Sequence, residues 1–457
     1  MKRIWLRRTV KALAVIVLLA VAAWTFWNWR EGAKLRATLQ AQRERGYPMT
    51  LADIVPPPVP DEQNAALVLN RAFLLMTGGK TDPGALLPAI AELKEYAIGG
   101  PKPEKDLTKL DADAVAPLRK KLASAELAEI FKLLDEASAR PACRFDLKYE
   151  DGPSMRMPHL SSIRDAVRLL CLRAWLQSDA GEAAGALDSL LASLRLGGFV
   201  GEEKTLVSYL VTVACDTLTI ERLNAVIERS VPAALPADGL QRLRQELATH
   251  AGAAQAALMG AMDGERLAFG GWIYSRLLSG TLDIRGLFSP ALAARSYACA
   301  VCRPLHKFDY RTYLTLQGQC RELAQQREYN MQDLRALDSQ RIPRSAVLTR
   351  WSVPAVGTVI KRHAEYRARL DVAQLGLALE LHRLKTGAYP SRLDEQALVS
   401  PVPADPFTRK PLIYSATGGG CLVYSVGPDL ADDGGKTRAG RSEGNYDILW
   451  RIARAPR

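Results

Sequence analysis

The chain has 457 residues, a formal net charge of +12, 48% apolar side chains and 24% charged ones, enough for two or three domains with ample cores. This balance excludes intrinsic disorder, which pairs low hydrophobicity with high net charge. It does not point to nucleic acid either, because Lys2, Arg3, Arg7, Arg8 and Lys11 concentrate much of the basic excess ahead of an apolar run.

That run, Ala12 to Trp29, carries no charge. Its eighteen residues span about 27 Å as helix, close to the roughly 30 Å hydrocarbon core of a bilayer. Trp24, Trp27 and Trp29 gather at its far end, where amphipathic rings favour the membrane interface. The flanking cations predict a cytoplasmic N-terminus and an extracytoplasmic body, hence a single-pass protein of a bacterial inner membrane. A cleaved signal peptide is the competing reading, since Ala20-Val21-Ala22 offers a small-x-small site. The length of the run and its terminal tryptophans favour an uncleaved signal-anchor over residues 1–30.

Residues 31–110 read as a charged helical stalk to Arg45, the stiff segment Val55–Pro60 and first helices, with Asp61 expected to cap a helix from Glu62 to Met76. Residues 111–345 then give helix after helix. In Ser161–Gln177, for example, Ile163, Val167, Leu170 and Trp175 recur at near-helical spacing. The join Ser178–Leu187 has the character of a helical-hairpin turn, but no period persists. An irregular helical bundle or short hairpin stack follows.

This body contains no nucleophile elbow, zinc helix or dinucleotide fingerprint. The histidines 159, 250, 306, 363 and 382 are scattered, and His159, just before a helix, suits a loop or capping role. Seven cysteines include one Cys299-Ala-Val-Cys302 pair in helical context, which suggests buried thiols or a local disulfide rather than zinc or haem.

Residues 346–457 change character. Tyr366, Leu370, Ala373, Leu377, Leu381 and Leu384 form one apolar helical face, ending at Gly387 and Pro390. Leu412–Tyr414 and Leu422–Tyr424 flank Gly418–Gly420 as a hairpin, and Asp447–Trp450 supplies a third strand. The chain as a whole is therefore expected to be mainly α, closing in a small α+β head with one long helix on a three-stranded antiparallel sheet.

The ordered series "LALELHRLKTGAYPSRLDEQALV", "DPFTRKPLIY", "YSVGPDLADDGG" and "YDILW" resembles the globular head of the major pseudopilin of type II secretion systems. The resemblance covers about Ala364 to Ile452 and implies a calcium site in the acidic loop. Ser425, Asp429, Asp432, Asp433 and Asp447 would offer the hard oxygen donors that calcium takes. A solvated turn is the plainer alternative, because Asp and Gly are ordinary turn residues. Two features depart from that family. The apolar N-terminal segment has neither its glutamate nor its processing sequence, and Leu430 replaces the glycine after Pro-Asp.

The function expected from these features is non-enzymatic: a membrane-anchored accessory or adaptor of secretion or pilus-like machinery. A general periplasmic binding scaffold is the alternative. An enzyme is the third reading, and a pocket lined by convergent ionisable groups in the helical body would mark it.

Overall fold

A computed structural model describes residues 2–80, 86–93, 96, 112–231, 234–281, 302–326, 341–352, 354–393, 402–417, 419–436 and 447–453. Anchor and stalk are one unbroken helix, α1 (Lys2–Glu44), whose 43 residues extend about 64 Å. Along its apolar part Leu13, Ile16, Leu18, Leu19 and Phe26 stand more than half exposed. A continuous exposed apolar surface of that length makes this helix a candidate membrane anchor. Ala183–Glu203 is also long and apolar enough to cross a membrane, but 67% of its most apolar window is buried in the body, so it is a core helix.

The upper half of α1 is not a free stalk. It packs along α11 (Arg303–Ala324), burying Glu31, Leu35 and Gln42. Gln42 donates to the Leu314 carbonyl at 3.0 Å. Arg45 pairs with Glu322, while Tyr47 lies under the Arg321 guanidinium at 4.1 Å. Burying Gln42 with its bond to Leu314 costs less than burying it unpaired would, and the exposed Arg45–Glu322 pair adds to the register of the two helices.

The body begins with α2 (Ala65–Met76), then α3 (Pro88–Leu93), α4 (Ala112–Leu122) and α5 (Ala125–Ser138). The α2 cap is Asn64 rather than Asp61, and its side chain accepts from Ala66 N. Its carboxamide also bridges to the backbone of Arg144, so a tertiary contact moves the start of the helix. The antiparallel pair α6 (His159–Asp179) and α7 (Ala183–Phe199) follows the expected hairpin, with Gly181 supplying φ +83° at the turn. Next come α8 (Leu206–Arg229), capped by Thr205, and α9 (Ala237–Gly264). Trp175, Leu170, Leu190, Leu223 and Leu247 meet in one core. Each such side chain, once buried, contributes roughly 1.5–3 kcal/mol.

Gly264 ends α9 where a Cβ would stand 1.7 Å from the Lys204 carbonyl, so only glycine allows this approach. The chain continues as a π-helical stretch, Glu265–Gly271, into α10 (Trp272–Ser279). After α11 come α12 (Val347–Ser352) and the long α13 (Pro354–Thr386). Asp309 of α11 holds α12 by accepting from the backbone of Leu348 and Thr349.

The head matches the expected outline of a helix on three antiparallel strands. Strands β1 (Ile413–Thr417), β2 (Gly420–Ser425) and β3 (Ile448–Ile452) lie in the order β1-β2-β3. Val423 pairs with both Tyr414 and Trp450 in this register. Trp450 is fully buried against Gly376 of α13, where a Cβ would come within 2.5 Å of the indole. Helix α13 runs several turns before the expected Tyr366 stripe, and these turns pack on α9 and α8. Asn224 of α8 both donates to and accepts from the backbone of Arg451. Head and body thus share a core, in which Leu370 and Trp450 join Leu170 and Leu223.

Gly376→Ala should drive a methyl into the Trp450 ring. The expected cost is about 1–3 kcal/mol of overpacking, offset by about 1 kcal/mol of gained helix propensity. The denaturant midpoint of the detergent-solubilised chain should fall, whereas Gly252→Ala, which meets nothing within 4 Å, should not lower it.

Candidate functional site

Two places gather ionisable groups. The first is a cavity of about 650 Å³ where α7, α8, α9 and α13 meet the proline-rich segment; Pro56, Phe199, Ala253 and Ala257 are among its apolar lining. Arg195, Lys204, Glu246 and His250 reach its wall. It is the kind of pocket that an enzyme in the helical body would need, and the sequence did not show it.

Behind that wall lies a buried polar network. Asp216, in the middle of α8 and fully buried, accepts at Oδ2 from Tyr366 Oη of α13 at 2.5 Å and bonds His250 Nδ1 of α9 at 2.6 Å. His250 Nε2 faces Glu246 Oε1 at 3.6 Å, and Arg195 Nε meets Glu246 Oε2 at 3.1 Å. Gly198 makes room for the ring, since a Cβ there would lie 2.7 Å from Nε2. Burial by itself would lower the His250 pKa, but Asp216, then Glu246, reverse this and raise it to about 10. The ring is therefore an imidazolium at neutral pH. Tyr366 is pushed well above its ordinary value by burial and by Asp216. Glu246 stays below its ordinary value, because His250 and Arg195 outweigh its burial.

The two carboxylates hold the ring as a fixed cation rather than as a proton acceptor. A histidine protonated up to about pH 10 has no free lone pair to take a proton at neutral pH. Among the described residues its partners are two carboxylates, not a hydroxyl or thiol nucleophile. Cys215, beside Asp216, is buried, and burial raises its thiol far from thiolate formation. His159, expected in a loop or cap, is instead the first residue of α6; it is buried, stacked on Phe145 and bonded to Glu203 Oε1 at 2.7 Å. Cys299 lies outside the described residues, and Cys302 precedes α11 with a free thiol.

The second place is the acidic loop after β2. Ser425 Oγ accepts from Gly427 N, and Asp432 Oδ1 accepts from Tyr424 Oη and Gly434 N. Asp447 accepts at Oδ2 from Gly435 N at 2.7 Å and at Oδ1 from Asp433 N at 3.5 Å. Burial and the neighbouring Asp433 raise its pKa despite those bonds. Oδ2 of Asp429 and Oδ2 of Asp433 are buried acceptors that receive no hydrogen bond. These two orphaned oxygens are what a hard cation would satisfy. The structure thus brings Asp433 to Asp447, while Ser425 and Asp432 serve their own turns. Among the described residues no group of three carboxylates, imidazoles or thiolates has the geometry to hold a metal ion. Residues 437–446, inside the loop, lie outside the described set.

Leu430 adopts φ +67°, the left-handed region that suits the glycine of the resembling family. Asp405, just before the aromatic Phe407, secures the loop base by accepting from Phe407 N at 2.8 Å and from Val426 N at 3.1 Å.

The imidazolium makes a pH prediction. Its contribution to stability is whole below the ordinary histidine value of about 6.5, declines above it, and is gone once pH passes about 10. Thermal melts of the full chain should therefore lose stability on the order of 2–4 kcal/mol between pH 7 and pH 10.5. His250→Gln should be less stable at pH 7 and lack most of that slope. An equal slope in the variant would mean that other groups set it. Comparison with protein-family models, with curated proteins and with solved structures gives no match to this chain.

Proposed function

We propose that this is a single-pass membrane protein whose extracytoplasmic body and pseudopilin-like head act as a non-enzymatic adaptor of secretion or pilus-like machinery. One observation carries the proposal: the C-terminal topology. A long helix, a hairpin and a third strand follow in the order of the resembling motifs, with Trp450 of the "YDILW" segment seated on that helix. The shared core supports an adaptor further, since whatever engages the head also loads the body and the anchor helix fixed to it. Its test is crosslinking of the full chain in native membranes. Secretion or pilus components should co-purify with the wild type and be lost when exposed head residues are changed. A chain that captures none would sink the adaptor reading.

Calcium in the acidic loop belongs to the same proposal. Asp429 and Asp433, with their uncompensated buried oxygens, would hold it, and bound calcium would tie the loop to β3 through Asp447. Full-chain melts with calcium and with chelator check this. At a hundredfold excess over the dissociation constant, calcium should add about 2.7 kcal/mol, and the gain should vanish in Asp429→Ala/Asp433→Ala. Identical melts would leave the loop a plain turn.

The cavity favours a second reading, a binding scaffold independent of secretion. Apolar walls with a few placed charges describe a ligand site. The clamped His250 supports binding over catalysis in that cavity.

A further inference from the structure

Helices α1 and α11 run parallel, and that fixes where the body meets the bilayer. Contacts climb both helices together, from Asn28 with Lys307, through Glu31 with Arg311, to Arg45 with Glu322. Asn28 is next to last in the eighteen-residue apolar span, at the edge of the hydrocarbon. Arg303 begins α11 one helical turn below Lys307, which is about 6 Å deeper along the shared axis. It therefore starts level with Trp24, one turn inside the span, and its long side chain extends outward to the interface that the tryptophans mark.

The cations there outnumber the acids. Lys307 Nζ donates to Asn28 Oδ1 at 2.8 Å and sits over Gly32, whose missing side chain leaves it room. Arg36 approaches the same point, its Nη1 3.5 Å from where a Gly32 Cβ would be. Burial and then the Arg36 and Arg303 guanidiniums lower the Lys307 pKa, so these three charges feel one another. The carboxylate at this level, Glu31, is buried and already pairs with Lys34 and Arg311. Arg36 and Arg303 are exposed and form no ion pair among the described residues. A cation at the hydrocarbon edge without an acid partner pays heavily for lost hydration unless an anion meets it.

We propose that Arg36, Arg303 and Lys307 form a docking site for the phosphate headgroups of anionic lipids, which seats the body directly on the membrane surface. The lipid phosphates supply the missing counter-charge, and the guanidiniums donate to their oxygens bidentately, the Arg303 stem lying along the end of the apolar span. This site does not depend on the adaptor reading, on calcium or on which side of the membrane the body occupies.

The test is native mass spectrometry of the full chain, released from nanodiscs of equal phosphatidylglycerol and phosphatidylcholine. The wild type should retain phosphatidylglycerol in preference. Arg36→Gln/Arg303→Gln should weaken that preference by about fivefold per charge removed, the worth of one basic residue at an anionic surface. Both positions are exposed, so the variant should melt like the wild type in pure phosphatidylcholine discs. Lys385→Gln/Lys410→Gln removes equal charge from exposed positions in the head and should leave the preference intact. Equal retention of both lipids by the wild type overturns the proposal. So does a preference that survives in Arg36→Gln/Arg303→Gln, or one that falls equally in the control pair.

Discussion

A carboxylate without water is the constraint on which the centre of the molecule turns. Asp216 is fully buried in α8, and leaving it unpaired would cost several kcal/mol. It is made tolerable only when α9 brings His250 and α13 brings Tyr366. The three helices must therefore arrive together, and α13 is also the spine of the C-terminal sheet. The polar contact selects one arrangement of helices whose apolar faces would accept several. Leu223, Leu247 and Leu370 then fill the space that the network defines.

Much of the outline could be read from the chain, because it rests on local regularities. The apolar run, the helical stripes and the turn at Gly181 are periodic or depend on single residues. The three strands were visible because the tight glycine turn and the alternating runs are short-range signals. Other features depend on residues far apart. His250 lies 34 positions from Asp216 and Tyr366 lies 150 from it, so no spacing rule links them. Asn64 caps α2 for a similar reason: its alternative, Asp61, looks as good locally but lacks the contact to Arg144. The length of α13 was underestimated because its first turns pack on α9, whereas the stripe from Tyr366 onward faces the sheet and the core.

The acidic loop lies between these cases. Its residues announced themselves by composition, and the structure gives each a different task. Ser425 and Asp432 complete turns, Asp447 gathers backbone amides, and Asp429 and Asp433 keep one oxygen apiece without a partner. Leu430 in the left-handed region costs about 1–2 kcal/mol, and the loop that holds it is fixed at both ends, by Asp405 at one and β3 at the other.

The unbroken α1 has a mechanical consequence. Because α1 continues beyond its apolar run without a hinge and is bonded to α11 from Asn28 to Arg45, a bilayer that took up that run would pass its tilt on to the body. Fifteen residues beyond Trp29 reach about 22 Å, so a typical 20° tilt would swing Glu44 sideways by about 8 Å. Bilayer thickness sets that angle, through the mismatch between apolar span and hydrocarbon. With α1 inserted, a small change in the lipid around its base would become a displacement of the cavity and the sheet above.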